Sequence, residues 1–496
     1  MNIPLIYRTI KYLKFTQVFH QVKYRLMKPA YKVYLAPKGN IPQLIAGPIE
    51  KAMCLDGGKF AFLNLEHQFA GWNFTDNGML WAYNQNYFDW INQEGFTAEE
   101  GSKWIDKFIA EVKGGFPMDP YPISLRSINW VKFFCRYPEC ATKERIDSLY
   151  SQVNLLEKKL EFHLLGNHLL EDAYALYINA CFFYDENLYK KAFKLLKGQL
   201  KEQILPDGAH YEQSPMYHCI LLDRLLDCVN ISQGAWGKGQ GAGAELEPYA
   251  LRMLGHLESI VWKDGSIPML NDSANGIAPL PSQLFDYARR LGLSWKPIPL
   301  KECGYRRMVS GNMEAIVDVG NITATYQPGH THADTFNYEL RVDGRPFVVD
   351  TGISTYNKNE RRQLERSTIV HNTVAVNGGN SSEVWGGFRV GRRATTKMKV
   401  EKGELKIIEA SHDGYGKPCR RKFEMKDGSF SIEDWFDGEA ISYIHLAEGA
   451  DENRITVDGA ESITVKPWKY STEYNRFHDG KVMEVHYKEH LRYTIQ

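Results

Sequence analysis

The fold of the second half of the chain is decided by the stretch Tyr338-Glu339-Leu340-Arg341-Val342-Asp343-Gly344. Apolar and polar residues alternate along its first five positions, which is the two-residue period of a strand with one buried face. Asp-Gly then supplies two residues that tolerate a positive φ, as a tight hairpin turn requires. Comparable segments recur from about residue 304 onward at Ala315–Val319, Thr373–Val376 and Ile455–Val457, with a second Asp-Gly turn expected at Asp458-Gly459. These segments predict antiparallel β structure.

The residues from about 85 to 300 follow a helical pattern instead. Apolar side chains recur there at helical spacing, as in Phe162, Leu165, Leu169, Ala173, Leu176, Tyr177 and Ala180. Breaks are expected at Gly114-Gly115, at Pro206-Asp207-Gly208 and in the glycine-rich stretch Gly234–Gly243, which we interpret as a mobile loop. Helices followed by strands favour segregated α and β layers. We therefore predict an α+β protein with a helical domain at 1–303 and an antiparallel β domain at 304–496.

Composition excludes several classes of protein. The 496 residues are too many for one ordinary core, and 43% apolar content is ample for burial. Lys plus Arg equals Asp plus Glu, at 60 each, so no overall positive field is available to gather nucleic acid. The cysteines are scattered without a CxxC pair, and we expect free thiols at Cys54, Cys135, Cys140, Cys181, Cys219, Cys228, Cys303 and Cys419.

The N-terminal segment is basic and has no acidic residue before Glu50. Its cations interrupt the apolar residues, so no secretory signal is predicted, and no later stretch approaches the length of a membrane span. We expect a cytoplasmic protein or one peripheral to the inner membrane, with the periplasm as the alternative. The interleaved cations and apolar residues are typical of a helix lying on an anionic membrane surface. The alternative is a solvated helix whose apolar side docks on the protein.

A cluster of imidazoles and carboxylates lies inside the β region, in Gly329-His330-Thr331-His332-Ala333-Asp334 and at Asp350 and His371. If the first stretch is a strand, His330 and His332 project to the same face. His332, Asp350 and His371 offer the N and O ligands that Zn²⁺ accepts, although their spacings of 18 and 21 residues match no short zinc motif. The alternative is a pair of hydrogen-bonded core histidines.

Four segments together resemble the heparinase II/III family of polysaccharide lyases. They occur in the family's order: Pro120–Arg126 with Asn129-Trp130, Gly166–Glu171, Asp207–His218, and Gly329–Arg393. The resemblance implies an incomplete (α/α) toroid followed by an antiparallel β-sandwich, with the substrate in the cleft between them. Members of the family split acidic polysaccharides by β-elimination at a uronic acid.

The resemblance also implies roles for individual residues. Asn167 matches the amide that binds the uronate carboxylate, with His168 as a second donor. Tyr217 and His330 match the pair that exchanges protons with C5 and O4, and which of them acts as base depends on the uronate epimer. An alternative for Asn167 is an N-cap of the helix that follows. Tyr211 competes with Tyr217, but its position favours packing.

The remaining implied residues concern the metal and the substrate. His332, Asp350 and His371 match metal ligands of the family, usually for zinc in a structural role, with another divalent cation as an alternative. Three arginines and two tryptophans are candidates for binding anionic groups and stacking on sugar rings, namely Arg126, Arg362, Arg366, Trp130 and Trp385. The alternatives are ordinary ion pairs for the arginines and core positions for the tryptophans.

The leading hypothesis is a lyase for a uronate-containing glycan, sulfated or not, such as heparin or heparan sulfate. A second hypothesis keeps the reaction but changes the polymer to alginate, hyaluronate or a bacterial capsule or exopolysaccharide. A third is a glycan-binding protein without turnover. The linkage, endo or exo action and the oligomeric state stay open.

Overall fold

The structure is a computed structural model that describes residues 3–37, 41–236, 243–402 and 406–496. The glycine-rich stretch interpreted as a mobile loop falls partly outside this range, at residues 237–242. Its described ends are helical, since one helix ends at Trp236 and the next begins at Gly243. The mobile-loop interpretation therefore does not apply to those ends.

The N-terminal part is mainly helical, and its other breaks fall where they were expected. The helices are α1 (Ile3–Ile10), α2 (Phe15–Leu26), α3 (Met79–Tyr87), α4 (Ala98–Glu111), α5 (Pro120–Arg136), α6 (Lys143–Lys159), α7 (Gly166–Phe183), α8 (Glu186–Gln203), α9 (Pro215–Trp236), α10 (Gly243–Ile260) and α11 (Pro281–Arg290). A small antiparallel sheet precedes α3, formed by β1 (Cys54–Leu55), β2 (Lys59–Phe62) and β3 (Leu65–Gln68).

The helices pack in two rows. In the inner row, α7 lies between α5 and α9 and contacts both, and α6, α8 and α10 pack beside α5, α7 and α9, respectively. Helix α7 is buried along its length except at His168, which explains why its apolar residues occur on every side rather than along one stripe. This central position fixes where the first turn of α7 lies.

The C-terminal part is one large antiparallel sheet. Its strands are β4 (Tyr305–Ser310), β5 (Met313–Asp318), β6 (Tyr338–Val342), β7 (Arg345–Val348), β8 (Val374–Ala375), β11 (Thr396–Lys402), β12 (Ile407–His412), β13 (Cys419–Lys426), β14 (Ser429–Leu446), β15 (Ile455–Glu473) and β16 (Arg476–Ile495). A separate hairpin consists of β9 (Val384–Trp385) and β10 (Arg389–Val390), and a short helix, α12, spans Glu360–Glu365. The predicted α+β class is confirmed.

Strand β14 connects the two arms of this sheet. Its first half, up to Phe436, pairs with β13, and its second half pairs with β8 and β7 after a bulge between Phe436 and Glu439. Apolar residues from both arms share one core cluster, so the sheet folds over its own interior. The strands begin directly after Gly304, while the exact domain limits at residues 303 and 304 stay a prediction.

The two predicted Asp-Gly turns have different outcomes. Asp343-Gly344 joins β6 to β7 with φ values of 54° and 75°, so the first hairpin is confirmed. Asp458-Gly459 lies inside β15, where the ladder with β16 shifts register, so the second hairpin prediction was wrong. A Cβ on Gly459 would lie 2.6 Å from the His490 carbonyl oxygen, which explains the need for glycine at this bulge.

Two other sequence expectations concern the whole chain. All eight cysteines are free, as expected, and all but Cys135 are buried. None of the described helices combines the length and apolar character that crossing a bilayer requires.

Candidate active site

The loop between β5 and β6 brings His330 and His332 against the helical half. The prediction that these histidines share a strand was wrong, because residues 327–337 form turns and irregular backbone. Both imidazoles nevertheless reach one carboxylate, that of Asp272, at 2.9 Å from His330 Nδ1 and 2.8 Å from His332 Nε2. Asp272 lies in the segment between α10 and α11, so the contact joins the two halves of the protein.

Asn167 lies in the first turn of α7 and is held by Glu212. Its backbone N–H donates to Glu212 Oε1 at 2.8 Å, and its side-chain Nδ2 donates to Glu212 Oε2 at 2.9 Å. A carboxylate at this position satisfies an N–H group that the helix leaves free and complements the helix dipole. Glu212 therefore caps α7, and the alternative that Asn167 is the N-cap was wrong.

The close approach of Glu212 depends on Gly166. This residue has a φ of 61°, and a Cβ there would lie 2.5 Å from Glu212 Oε1 and 3.0 Å from Gln327 Cγ. We expect Gly166→Ala to displace Glu212, lower the free energy of unfolding by about 1–3 kcal/mol and reduce activity together with it. Urea unfolding and initial rates measure the two effects.

Gly198→Ala in α8 is the matched control. A Cβ there meets nothing within 4 Å, so alanine should leave stability unchanged or raise it by up to about 1 kcal/mol. Equal behaviour of the two variants would contradict the role given to Gly166.

The hydrogen bonds assign the proton on His330. Asn167 Nδ2 lies 3.3 Å from His330 Nε2 and can only donate, so Nε2 accepts. Nδ1 lies 2.9 Å from Asp272 Oδ2 and donates to that carboxylate. In a neutral ring these two contacts place the proton on Nδ1 and the lone pair on Nε2, the form that serves as a general base, and Glu212 Oε2 also lies 3.4 Å from Nε2.

Asp272 is the most highly connected group of the site. It accepts from His330 and His332, and Arg362 donates to both of its oxygens at 2.5 and 2.6 Å. Burial alone would raise the pKa of the Asp272 carboxyl, but the Arg362 guanidinium and the two histidine hydrogen bonds outweigh it and hold that pKa well below its usual range. The sequence analysis missed Asp272, and nothing in its spacing distinguishes it from the other acidic residues.

Tyr217 lies in the first turn of α9 beside His330. The two rings have centroids 3.9 Å apart, and the Tyr217 hydroxyl lies 3.5 Å from that of Tyr356. Burial is the main cause that raises the pKa of the Tyr217 phenol above its usual value, so the phenol holds its proton at neutral pH. Tyr356, which the sequence analysis also missed, lies 3.3 Å from His330 Nδ1 and thus touches both members of the pair.

His168 lies at the rim of the cluster and is half-buried. Its Nδ1 is 3.1 Å from Glu161 Oε2. Burial lowers the pKa of His168, but the charge of Glu161 and the hydrogen bond to it outweigh burial and raise that pKa. A positively charged imidazole is thereby favoured next to the Asn167 amide.

A cavity of about 230 Å³ lies at the boundary of the two halves, and Tyr356 is the residue of the cluster that lines it. Its wall includes Gly78 and Trp81 from the helical half and Tyr356, Asn357 and Tyr474 from the sheet half. Tyr356 connects this cavity to the cluster through its contacts with Tyr217 and His330. The cluster offers an imidazole with an accepting Nε2, a protonated phenol and two donors.

Two predicted substrate contacts are excluded by burial. Arg126 is fully buried and donates to Gln152 Oε1 and to the carbonyl oxygens of Asn86 and Pro117. Trp130 is also fully buried and packs edge-on against Phe88. The prediction that these two side chains bind the substrate was wrong, because both belong to the helical core.

Of the other three predicted contacts, Arg362 and Arg366 support the site from behind, and Trp385 contacts the N-terminal helix α1. Arg362 neutralises Asp272, and Arg366, also fully buried, donates to the Thr331 carbonyl in the histidine loop. Trp385 donates from Nε1 to Thr9 Oγ1 and so holds helix α1. Burial of Arg362 and Arg366 thus gives them positioning contacts in place of the predicted contacts with sulfate or carboxylate, while the role of the partly buried Trp385 in stacking on a sugar ring stays a prediction.

The predicted metal ligands form two carboxylate–histidine pairs. His371 Nδ1 donates to Asp350 Oδ2 at 2.8 Å, and His332 is paired with Asp272 as described. The His332 and His371 rings have centroids 5.2 Å apart, and their other nitrogens, His332 Nδ1 and His371 Nε2, are buried without a hydrogen-bond partner. Burial lowers the pKa of His332 to about 4, so its ring is neutral.

Three other residues place their possible metal-ligand atoms close together. Among the described residues, Asp207, His256 and Cys303 are the group of three whose ligand atoms all lie within 4.8 Å of one another, and His332, Asp350 and His371 do not. One oxygen of Asp207 already accepts the backbone N–H groups of Lys301 and Cys303, at 3.0 and 2.9 Å. These three residues could hold a metal, although the Asp207 carboxylate also serves to tie two loops together.

Comparison with known families covers both halves of the chain. The family model described as Heparinase II/III N-terminus matches residues 138–289, and the model described as Heparinase II/III-like, C-terminal matches residues 294–467. A heparin-sulfate lyase from Pedobacter heparinus is 26% identical over 338 residues, which are 60% of this chain and 48% of that protein. A heparin-sulfate lyase from Bacteroides stercoris is 20% identical over 406 residues, 73% of this chain and 59% of that protein.

The chain thus spans about half the length of the curated relatives it matches. A solved structure of heparinase III superimposes with a TM-score of 0.63 at 16% identity, covering 99% of this chain and 86% of that one. At this identity the likeness shows the fold alone. It extends over both the helical part and the large sheet.

Proposed function

Since the chain belongs to the heparinase II/III family, we propose that it is a polysaccharide lyase that cleaves a uronate-containing glycan by β-elimination. The observation that carries this proposal is the contact of Asn167 and Tyr217, from two helices, with His330 from the sheet half. A site that only binds sugars does not need an imidazole and a protonated phenol side by side. The curated relatives, both heparin-sulfate lyases, favour a heparan-sulfate-like substrate.

The first task of such a site is to neutralise the uronate carboxylate. The proton on C5 is weakly acidic while the adjacent carboxylate keeps its full charge. Asn167 Nδ2 and the raised-pKa imidazole of His168 are the donors available for that carboxylate. In a cleft with little water, hydrogen bonds to developing charge are stronger than in bulk solvent.

The proposed proton transfers follow from the contacts of the pair. His330 Nε2 takes the proton from C5, and the electron pair of the broken C–H bond forms the C4–C5 double bond. The C4–O4 bond breaks, and O4 takes a proton from the Tyr217 hydroxyl. Asp272 holds His330 in the required tautomer and stabilises the imidazolium that forms. For the epimer that presents its proton on the other face, Tyr217 would serve as base.

A panel of purified uronate polymers tests the reaction and the substrate together. We expect heparan sulfate or heparin to give the ultraviolet absorbance of a C4–C5 unsaturated uronate, with one new reducing end per unsaturated product. New reducing ends without that absorbance would contradict elimination in favour of hydrolysis.

The same panel decides between the alternatives. Turnover of alginate, hyaluronate or a capsular polymer, with none of heparan sulfate, would keep the reaction and replace the substrate. Binding of several polymers without any product would favour a glycan-binding protein.

We infer further that His332 and His371 hold a divalent cation, zinc being the expected ion, and that Asp350, predicted as a third ligand, lies behind His371 and holds its Nδ1. The two unpartnered imidazole nitrogens fit this inference, because a buried polar atom without a partner is costly. Asp272 and Asp350 fix the opposite nitrogens of the two rings, as carboxylates do behind metal-binding histidines. When bound, the cation supplies positive charge and cross-links the histidine loop to the segment that carries His371.

Metal removal has a measurable consequence. We expect about one metal ion per chain by elemental analysis, a melting temperature several degrees lower after chelation, and metal loss in His371→Ala. His412→Ala is the control, since His412 Nε2 is also buried without a partner but lies in β12, and it should keep the metal. Full metal content in His371→Ala would contradict this assignment and direct attention to Asp207, His256 and Cys303.

A further inference from the structure

The two N-terminal helices expose apolar side chains to solvent. In α2 the exposed fraction is 81% for Phe15, 52% for Phe19 and 80% for Leu26, and Val18 and Val22 are also exposed. At about 100° per residue these five positions fall within an arc of roughly 100° on one side of the helix. Such a stripe normally faces a protein core. Here it faces away from the protein.

The opposite side of α2 is the side that docks. Gln17 is buried and donates to the carbonyl oxygens of Leu164 and Tyr326 at 3.1 and 3.3 Å. Tyr24 donates to the Leu160 carbonyl, and the His20 ring stacks on Phe162. The sequence-based alternative, in which the apolar side docks on the protein, is therefore wrong. The polar side holds α2 in place and leaves the stripe free.

Helix α1 continues the same surface. Ile3, Tyr7 and Ile10 share one side of the helix and are exposed, with Ile3 at 72%. Arg8 lies on the docking side and forms an ion pair with Glu383, at 2.6 and 2.8 Å. Both helices are thus fixed by polar contacts from behind, and they present one apolar face, hereafter the N-terminal face.

Positive charge surrounds the N-terminal face. Residues 3–37 contain seven Lys and Arg residues and no Asp or Glu, and two of these cations, Arg8 and Lys14, are paired with Glu383 and Glu202. On α2, Lys23 and Arg25 flank the apolar stripe, each roughly 80° from its centre. Apolar residues between flanking cations are typical of helices that lie in the interface of an anionic membrane, with aromatic and aliphatic side chains among the acyl chains and cations at the headgroups.

We propose that the N-terminal face docks on the surface of an anionic lipid bilayer. A second copy of the chain is a poorer occupant, because apposing two such faces would bring two sets of cations together. An anionic bilayer buries the apolar stripe among its acyl chains and pairs the flanking cations with its headgroups. No spanning segment is needed, since the helices lie in the plane of the surface.

Docking would also fix the direction of the cleft. Gln17 bonds to Leu164, three residues before Asn167, and to Tyr326, four residues before His330. The membrane face and the candidate active site are therefore attached to the same two segments. A docked enzyme would present its cleft at a constant orientation to polymers near the membrane.

Vesicle co-sedimentation of the full chain, with any tag at the C-terminus, tests this proposal without reference to activity. We expect binding to vesicles of phosphatidylcholine and phosphatidylglycerol in equal amounts, and little binding to phosphatidylcholine alone. Phe19→Glu with Val22→Glu should weaken binding by about tenfold or more. Lys23→Gln with Arg25→Gln should weaken it several-fold and reduce its salt dependence.

Matched controls make the outcome decisive. Ile463→Glu with Val465→Glu changes two comparably exposed apolar residues of β15 and should leave vesicle binding unchanged. Each variant alters exposed side chains, apart from the partly buried Lys23, and each should melt as the wild type does. Absence of wild-type binding to anionic vesicles, or equal binding by the Phe19/Val22 variant, overturns the proposal. A dimer in sedimentation velocity that the Phe19/Val22 changes disperse would instead assign the face to a second copy and also overturn it.

Discussion

His330→Ala and Tyr217→Phe are each expected to reduce the turnover number by about 10²–10⁴-fold, because proton transfer by a positioned group contributes on that scale. Neither change should unfold the protein. Tyr217→Phe removes one hydroxyl whose recorded partner, Tyr356, is 3.5 Å away, and His330→Ala leaves Asp272 paired with Arg362. Initial rates of unsaturated product formation, with circular dichroism and thermal melting, measure both effects.

Tyr211→Phe is the matched control for the phenol. Tyr211 is buried nearby, six residues earlier, and its hydroxyl bonds to that of Tyr326 at 3.0 Å. Loss of this hydroxyl should affect stability slightly and turnover little. Full activity in either His330→Ala or Tyr217→Phe would contradict the assigned proton transfers. If Tyr211→Phe lowered the turnover number as much as Tyr217→Phe does, Tyr217 would not be the acid that protonates O4.

The second large effect is expected at Asp272. Asp272→Asn removes the negative charge that pairs with the fully buried Arg362 and places an NH₂ group among donors. Leaving a buried charge uncompensated costs about 3–5 kcal/mol, so the free energy of unfolding should fall by that amount. Turnover should also fall, because His330 loses the acceptor that fixes its proton on Nδ1. Urea unfolding and initial rates measure the two losses.

Two further variants distinguish loss of the Asp272–Arg362 ion pair from a nonspecific loss of stability. Arg362→Gln in the Asp272→Asn background should recover part of the stability, since it removes the unpaired charge, but none of the turnover. Asp479→Asn breaks the exposed pair with Lys469 and should change stability by less than about 1 kcal/mol. Equal destabilisation by Asp272→Asn and Asp479→Asn would refute the buried network.

The sequence predicted the helices and strands more reliably than it predicted the burial and hydrogen-bond partners of single residues. The β6–β7 hairpin follows from a two-residue period and Asp-Gly, which are local properties. The same dipeptide at Asp458-Gly459 forms a bulge because β16 pairs along the whole of β15, and that pairing is not local. His330 and His332 reach one carboxylate through an irregular loop, although a strand was expected.

Predictions made from residue type alone gave several side chains the wrong role. Arg126 and Trp130 have the chemistry to bind a sulfated sugar, but the packing of α5 against its neighbours buries both. Arg362 and Arg366 have the same chemistry and are used inside the protein to hold Asp272 and the histidine loop. Asp272 and Tyr356 were missed, because each gains its role from partners 58 and 26 residues away.

The sequence by itself determined the order of helices and strands, the lack of a global charge and the chemical types available for an elimination. Those properties depend on neighbours within a few positions, where period, turn residues and charge are directly visible. Only the tertiary structure decided that Asn167 meets His330 across 163 residues, that Asp272 orders both histidines, and that the N-terminal helices turn their apolar side outward. The reason is physical: burial and hydrogen bonding depend on which distant segments pack together, and packing is a property of the whole chain.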